Sequence, residues 1–502
     1  MRPWRAPSVG ATDHPLVALY SAPPCDAGRW MRVHFTTYAP VKKYFATDWR
    51  ACGGVRSMNV YLAGMLPDSN YFVRHELNNP QSTNQSFGPT LTHRTGTLPA
   101  GLVALTPAPA TGASTSFAES VVVTAPIAFP TDTRPQRSIA TDLNGRVLWY
   151  YDRDPAARPQ VWRPVAGGTL LVNFDTDKIW QGLREIDLAG NVVRETTAAR
   201  ISEQLVARGQ PAITSIHHEA RRLANGHTAI IGSMERLFQD VQGVAGPVDI
   251  LADAVIVIDG NWQVVWSWNA FAHMDIARTA TLDEKCGTLP SNSAGCPPIT
   301  LVDGVTSLAN DWLHTNSIAY SPTDGNLIIS MRHQDWVLKL DYRDGAGDGR
   351  VLWRLGPGGD FTLSGAGADA FPWFSHQHDA NYYSSDRIVL YDNGNVPCDR
   401  GLAPCVSRGQ TYRLDEAGRT ANRLLSADLG VYAEALGSAQ ALRNGNFYFH
   451  NGLQQGVPPV PRTRIVEVLP SGEHVYAADI DSASYRSFRL PSLYTGVLGG
   501  PN

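Results

Sequence analysis

Apolar and polar residues alternate along most of this chain in short runs broken by turn signals, the period-two pattern of half-buried β-strands. From about Phe117 onward the runs recur as a unit. Each unit is a strand, an Asn/Asp-Gly turn, a second strand, a loop, a strand ending in Asp or a small residue, a Gly turn, and a strand often carrying Trp. Asn225-Gly-His-Thr-Ala-Ile-Ile-Gly is followed by Val255-Ile-Val-Ile-Asp-Gly-Asn-Trp, and Asp324-Gly-Asn-Leu-Ile-Ile-Ser by Val337-Leu-Lys-Leu-Asp and Arg350-Val-Leu-Trp. Asn444-Gly-Asn-Phe-Tyr-Phe is followed by Arg464-Ile-Val-Glu-Val-Leu-Pro-Ser-Gly, weaker copies begin near Val161 and Asp379, and a half-copy at Ser138 opens the array. Helical spacing of apolar residues is scarce, so the chain reads as all-β. Four short strands recurring every 40 to 50 residues or so are the signature of a propeller blade. Six units are expected between about Phe117 and Ile480, stretched by an insertion over 270–310, with seven as the alternative count. A propeller lines its central channel with the first strand of each blade, so residues near the starts of those strands converge.

The first hundred residues follow a different grammar. Arg32-Val-His-Phe-Thr-Thr, Val60-Tyr-Leu-Ala-Gly-Met-Leu-Pro-Asp-Ser-Asn-Tyr-Phe-Val-Arg and Leu91-Thr-His-Arg-Thr-Gly-Thr-Leu-Pro alternate between turn signals, and resemble a fibronectin-type sandwich over about residues 30–99. The stretch 100–116, rich in Ala, Pro, Thr and Gly, reads as a linker, and 117–502 as the propeller. A composition of 43% hydrophobic and 18% charged residues places the chain among globular proteins, and 45 Gly with 34 Pro suit a chain that turns often. A formal charge of −4 supplies no basic field for nucleic acid and no polybasic patch for a membrane. No apolar run approaches the roughly 18 residues of a spanning helix. Met1-Arg-Pro-Trp-Arg-Ala-Pro lacks the apolar core of a signal peptide, so export would require a signal absent from this chain. The six cysteines fall into near pairs, Cys25 with Cys52, Cys286 with Cys296 and Cys398 with Cys405, none at metal-ribbon spacing, which points to disulfides and an oxidising compartment.

Aligning the units on their turns singles out three histidines. His218 precedes Gly226 by eight residues, His314 precedes Gly325 by eleven, and His378 begins the innermost strand of the next unit. Three successive blades thus bring a histidine to the same end of the channel. Asn316, two residues after His314, is expected on the same strand face, and Arg332 ends the neighbouring strand, where its planar guanidinium suits a tetrahedral oxyanion. Glu219 and Asp379, each adjacent to one of these histidines, are expected by alternation to point away.

These stretches resemble the bacterial arylsulfate sulfotransferase family. The likeness rests on Ile216-His-His-Glu-Ala, Asp311-Trp-Leu-His-Thr-Asn-Ser, Ser330-Met-Arg-His-Gln, Val351-Leu-Trp-Arg-Leu-Gly-Pro and Ser375-His-Gln-His-Asp-Ala. It is densest over 215–395 and looser over the rest, because that family also has a β-rich domain before a six-bladed propeller. The resemblance implies a periplasmic or secreted enzyme that moves a sulfuryl group from an aryl sulfate to a phenol by a ping-pong route, without 3′-phosphoadenosine phosphosulfate (PAPS) or any other cofactor. This sequence has no Gly-rich phosphate loop of the GxxxxGK[ST] type. The resemblance assigns the sulfohistidine to His378, sulfate binding to His314, Asn316 and Arg332, and a further active-site role to His218. It also implies a disulfide between Cys398 and Cys405. His376, two residues before His378, competes with it for the role of nucleophile.

The chemistry is sound on its own terms. Neutral imidazole is a competent nucleophile near neutral pH, Arg332 and Asn316 would hold the sulfuryl oxygens, and His218 or His314 would move the phenolic proton. Two other classes compete: a metal-dependent propeller hydrolase or lyase with a three-histidine site, and a non-catalytic propeller scaffold. The expected metal content is none, because a cation such as Arg332 beside metal ligands is unfavourable. A structural calcium in the channel is left open as an extra, although the sequence offers no dedicated loop for one. A homodimer through the sandwich is left open.

Overall fold

The computed structural model describes residues 6–38, 44–78, 85–108, 115–127, 132, 134–151, 158–175, 182–287, 296, 299, 308–454 and 462–496. The chain is all-β: among the described residues the α-helices are confined to the short segments Ala198–Ala207, Ala270–His273 and Asn395–Asp399.

The N-terminal sheets pair Ser8–Ala11, Ala18–Ala22 and Met58–Leu62 on one side, and Trp30–Thr37 with Asn70–Asn78 and shorter edge strands on the other. Alternation works as the sequence says, with Met31, Val33 and Phe35 inward along one strand and Tyr71 and Val73 along its partner. Residues 8–22 add two strands ahead of the expected start at residue 30, and Leu105–Ala108, inside the expected linker, pairs with His474–Ile480. This unit is not a separate bead. Tyr20, Phe35 and Leu62 share one core with Trp149, Leu188 and Tyr494, and the Tyr494 hydroxyl donates to the Tyr61 carbonyl at 2.9 Å.

The remainder contains six sheets built on four-stranded antiparallel meanders among the described residues. Their innermost strands are β1 (Arg158–Val165), β2 (Ser215–Arg222), β3 (Thr315–Tyr320), β4 (His378–Tyr382), β5 (Ser438–Ala441) and β6 (Ser484–Leu490). Each contacts the next, and β6 contacts β1. The expected repeat array stopped at Ile480, ten residues short. Ser484-Tyr-Arg-Ser-Phe-Arg-Leu lacks the turn grammar of the other units, because it crosses over as the inner strand of the first meander, with Leu490 opposite Val121. Apolar clusters fill the wedges between neighbouring meanders, and Trp149, Trp268 and Trp353 on outer strands are fully buried there.

Midway along the inner strands, charged groups replace the apolar core. Arg163 of β1 donates to both oxygens of Glu219 of β2 at 3.0 and 2.7 Å and reaches Asp379 of β4 at 3.3 Å. Arg486 of β6 donates to Glu219 at 2.8 Å and to the Asn316 carbonyl of β3. The Ala439 amide of β5 donates to Asp379 at 3.2 Å. All six inner strands therefore meet in one buried polar plug. Glu219 and Asp379 lie in it, turned from the histidines as expected, and Glu219 stays ionised at about 2 because Arg163 and Arg486 outweigh the cost of burial.

Candidate active site

Above the plug the inner strands stop being regular. The β2 ladder slips between His217 and Ala220, the β3 ladder between Thr315 and Ser317, and the β4 ladder between His378 and Asn381. Each slip is a bulge that turns the strand and re-aims its side chains. His218, His314 and His376 sit at φ of 57°, 51° and 53°, a left-handed backbone that costs about 1–3 kcal/mol in a non-Gly residue and persists where surroundings over-determine it.

The result is a file of imidazoles. His217 lies 3.2 Å from the buried Asp253, and its Nδ1 is 2.6 Å from Nδ1 of His218. The His218 ring meets His314 at 4.7 Å, His314 stacks on His333 at 4.6 Å, and His333 approaches His376 at 5.8 Å. Carboxylates brace the far end. His314 Nδ1 bonds Asp311 at 2.6 Å, while His376 lies between Glu284 and Asp335. Burial and the Arg332 charge work against protonating His376, but those two carboxylates outweigh them and lift its pKa above the ordinary value.

His378 is held differently. Its Nδ1 lies 2.7 Å from Oδ1 of Asn393, whose amide nitrogen donates to the carbonyls of Ala433 at 2.8 Å and Leu436 at 3.0 Å. Those two carbonyls fix which way the amide faces, so Nδ1 of His378 carries the proton and Nε2 carries the lone pair. Burial, then Arg332, and more distantly Arg486 and His314, push the His378 pKa well below the ordinary value and outweigh the opposing Asn393 bond. His218 is likewise held well below, by burial and then by its histidine neighbours and Arg486. Both rings are neutral at neutral pH.

Arg332 opens a short 3₁₀ turn, Arg332–Gln334, that follows Leu327–Met331, the second strand of the meander whose inner strand is β3. It donates to the Glu434 carbonyl at 3.0 Å and to Nε2 of His333, and its buried Nε–H has no partner among the described residues. Asn316 sits where the β3 ladder slips. It is the extra residue of the β3 bulge, fully buried, with its amide donating to the Gln377 carbonyl at 2.7 Å and accepting from the Asp379 amide at 3.4 Å. It clamps β3 to β4. The alternation argument does not apply there, because it assumes a regular strand.

Three residues of the site carried no functional assignment in the sequence. Tyr485 of β6 places its ring 5.4 Å from His218, with a buried hydroxyl that meets no hydrogen-bond partner within normal geometry among the described residues. It would have been found had the last strand been recognised as an inner one. His333 lies inside the Ser330-Met-Arg-His-Gln stretch and Asn393 inside Ile388-Val-Leu-Tyr-Asp-Asn-Gly-Asn, a stretch that also resembles the family, and neither has a role assigned to it from the sequence.

Asp311, His314 and His333 each offer an atom to a common point, the one grouping among the described residues that would serve a metal reading without cysteines. The donor chemistry argues against it. His333 Nδ1 already faces the Asp311 carbonyl at 2.7 Å, and Arg332 holds its other nitrogen. The cysteines are all paired: Cys25–Cys52, Cys286–Cys296 and Cys398–Cys405 are disulfides. No helix among the described residues is long and apolar enough to cross a membrane.

Comparison with known proteins shows which family the chain resembles. Arylsulfate sulfotransferase AssT of Lelliottia amnigena is 23% identical over 339 residues, covering 59% of this chain and 53% of its own length, so the match spans about half of that relative. Among solved structures, a Bacteroides caccae protein of unknown function aligns over 73% of this chain and 97% of its own at 10% identity and a TM-score of 0.41. A Bacteroides ovatus auxiliary nutrient binding protein aligns over 98% and 92% at 8% identity and a TM-score of 0.32. The family model for arylsulfotransferase (ASST) matches residues 99–486, which hold every histidine of the site, and the chain belongs to that family.

Proposed function

We propose that this protein is a PAPS-independent arylsulfate sulfotransferase, a six-bladed propeller behind an N-terminal sandwich, that works by ping-pong transfer through a sulfohistidine at His378. The observation that carries the reading is the state of His378: neutral, proton fixed on Nδ1 by Asn393, and Nε2 unpaired among the described residues. In the first half-reaction Nε2 attacks sulfur as the bond from sulfur to the aryl oxygen breaks, and the phenolate leaves. The Arg332 Nε–H, without a partner among the described residues, would donate to a sulfuryl oxygen, and His314, fixed by Asp311, would hold another.

In the second half-reaction an incoming phenol attacks the sulfuryl group as the bond to Nε2 breaks, and neutral His218 takes the phenolic proton. If Nδ1 of His218 donates to His217, its Nε2 is left as the base. The Tyr485 hydroxyl beside it would bond a phenolic oxygen. Asn316 becomes a positioning residue in this scheme, because its amide holds the backbone just before His378. His376 is a poor nucleophile, with both nitrogens facing carboxylates. The reading needs no nucleotide, metal or calcium, and the substrates are small aryl sulfates and phenols. Three disulfides suit a periplasmic or secreted location, since such bonds persist in oxidising compartments.

The test is mass spectrometry of the protein mixed with a chromogenic aryl sulfate and no acceptor. The expected result is a gain of one SO₃ mapped to His378, with one equivalent of phenol released in a burst. His378→Ala should form no adduct, His376→Ala should still form it, and Arg332→Ala should keep the nucleophile but lose about 10²–10³-fold in rate. An adduct in His378→Ala would refute the assignment. Full transfer without any adduct would refute the covalent route.

A further inference from the structure

β2 carries histidines at one end and arginines at the other. Past the plug, Arg221 and Arg222 end that strand and open into a second cavity of about 690 Å³, shared with Arg163, Arg194, Glu185 and Thr169. The catalytic histidines lie on the opposite side of the plug, so this cavity is a separate space.

Its charge is unbalanced. Glu185 accepts from Arg194 at 2.6 Å and from Arg222 at 2.7 Å, so one carboxylate serves two guanidinium groups. Glu219 and Asp379 are already shared between Arg163 and Arg486. Arg221 is buried and has no carboxylate within bonding distance; its partners are the Ile318 carbonyl at 2.9 Å and the Asn381 side-chain oxygen at 2.5 Å. Five arginines (163, 194, 221, 222 and 486) thus face three carboxylates (185, 219 and 379), an excess of two positive charges. The strain shows on Arg221, whose pKa is pushed down to about 10 by burial and by the Arg163 charge. Among the described residues Nε and Nη2 of Arg221 and Nη1 of Arg163 bond to nothing, although both side chains line the cavity.

We propose that this cavity is a second anion site, which takes a small tetrahedral oxyanion between Arg221, Arg163 and Arg222. Guanidinium forks match the planar pairs of oxygens on such an anion, and a charge of −2 would balance the excess. The Thr169 hydroxyl at the rim donates to Glu185 and leaves that carboxylate directed at its two arginines. The ligand is either a free inorganic oxyanion or the sulfate group of an ester.

The probe is radiolabelled inorganic sulfate in equilibrium dialysis against the full chain. The Arg332→Ala protein, altered only at the catalytic mouth, should retain one saturable sulfate, which separates this site from the proposed catalytic one. Arg222→Gln should weaken that binding at least tenfold while leaving sulfuryl transfer and circular dichroism unchanged, because Arg222 is half-buried and outside the catalytic set. Arg221→Gln should abolish it; if that variant does not fold, Arg222→Gln carries the test. Displacement of label by an aryl sulfate as well as by phosphate would support the site and identify an ester group as an accepted ligand. Displacement by inorganic anions alone would support it as a free-anion site. No saturable sulfate in Arg332→Ala, or undiminished binding in Arg222→Gln, would overturn the proposal.

Discussion

An imidazole attacks with whichever nitrogen its surroundings leave unpaired, and here a neutral amide makes the choice. Asn393 presents an oxygen to His378 without a charge, so it fixes the proton on Nδ1 but adds little pull toward imidazolium. A carboxylate in the same place would fix the same tautomer and stabilise the charged ring. Asn393→Asp is therefore expected to move the acid limb of kcat/KM upward by about 1–3 pH units, the usual effect of an adjacent opposite charge. Asn393→Ala should lower kcat without that displacement, since it frees the ring but adds no charge. A pH–rate profile of the three proteins decides it, and an unmoved limb in Asn393→Asp would deny Asn393 this role. Sequence reasoning reached His218, His314, Arg332 and His378, because three histidines recurring at one register of a repeat are a visible coincidence. It did not reach Asn393 or Tyr485, whose places depend on which strands pair.

At the scale of the element, the bulges mark where period-two reading applies and where it stops. Alternation turns Glu219 and Asp379 away from the histidines, and they lie in the plug; at Asn316 it does not apply, because the β3 ladder slips at that residue and its amide is held by the Gln377 carbonyl. A bulge leaves no signature in a polar stretch such as His314-Thr-Asn-Ser. The loop after the next strand is as consequential. Asn393 is followed by the helix Asn395–Asp399, the Cys398–Cys405 disulfide and Ser407, whose hydroxyl returns to the Asn393 carbonyl at 3.0 Å. The disulfide closes the loop that carries Asn393, the partner of His378. Cys398→Ser with Cys405→Ser should cost about 2–3 kcal/mol of stability on the chain-entropy estimate. It should also lower kcat more than it raises KM, since Asn393 would lose its brace while substrate contacts remain. Denaturant unfolding and steady-state kinetics on the double variant test this, and unchanged kcat would separate the disulfide from the site.

At the scale of the molecule, the repeat announced the ring of meanders, while its closure by Ser484–Leu490 and its polar plug did not follow from any local pattern. The plug matters because it puts Arg486 beneath the histidines, where it helps keep His218 and His378 neutral. Neutral burial has a consequence for the whole fold. His218, His333 and His378 are held well below the ordinary histidine value, chiefly by burial, and His450 is pushed down to about 3 for the same reason, aided by Arg486. In the unfolded chain all four would titrate near 6.5. The folded state therefore binds fewer protons than the unfolded one, so these groups contribute stability that is complete above about pH 6.5 and drains away as the pH falls below it. His376 has the opposite sign: raised by its carboxylates, it contributes fully below about 6.5 and loses that contribution as the pH climbs through its folded value. It is protonated in both states in acid and adds no slope there. Each of the other four contributes up to about 1.4 kcal/mol per pH unit once the unfolded histidines are charged. The melting temperature is accordingly expected to fall steadily between pH 7 and pH 5, before the carboxylates of the plug begin to titrate. His450, which bonds Ser484 at 2.6 Å and stands outside the proposed chemistry, provides the control. His450→Gln should make the fall shallower by about one proton while transfer continues. A melting temperature that holds or rises over that range would mean the imidazoles are charged in the folded protein, and neutral His378 would fall with it.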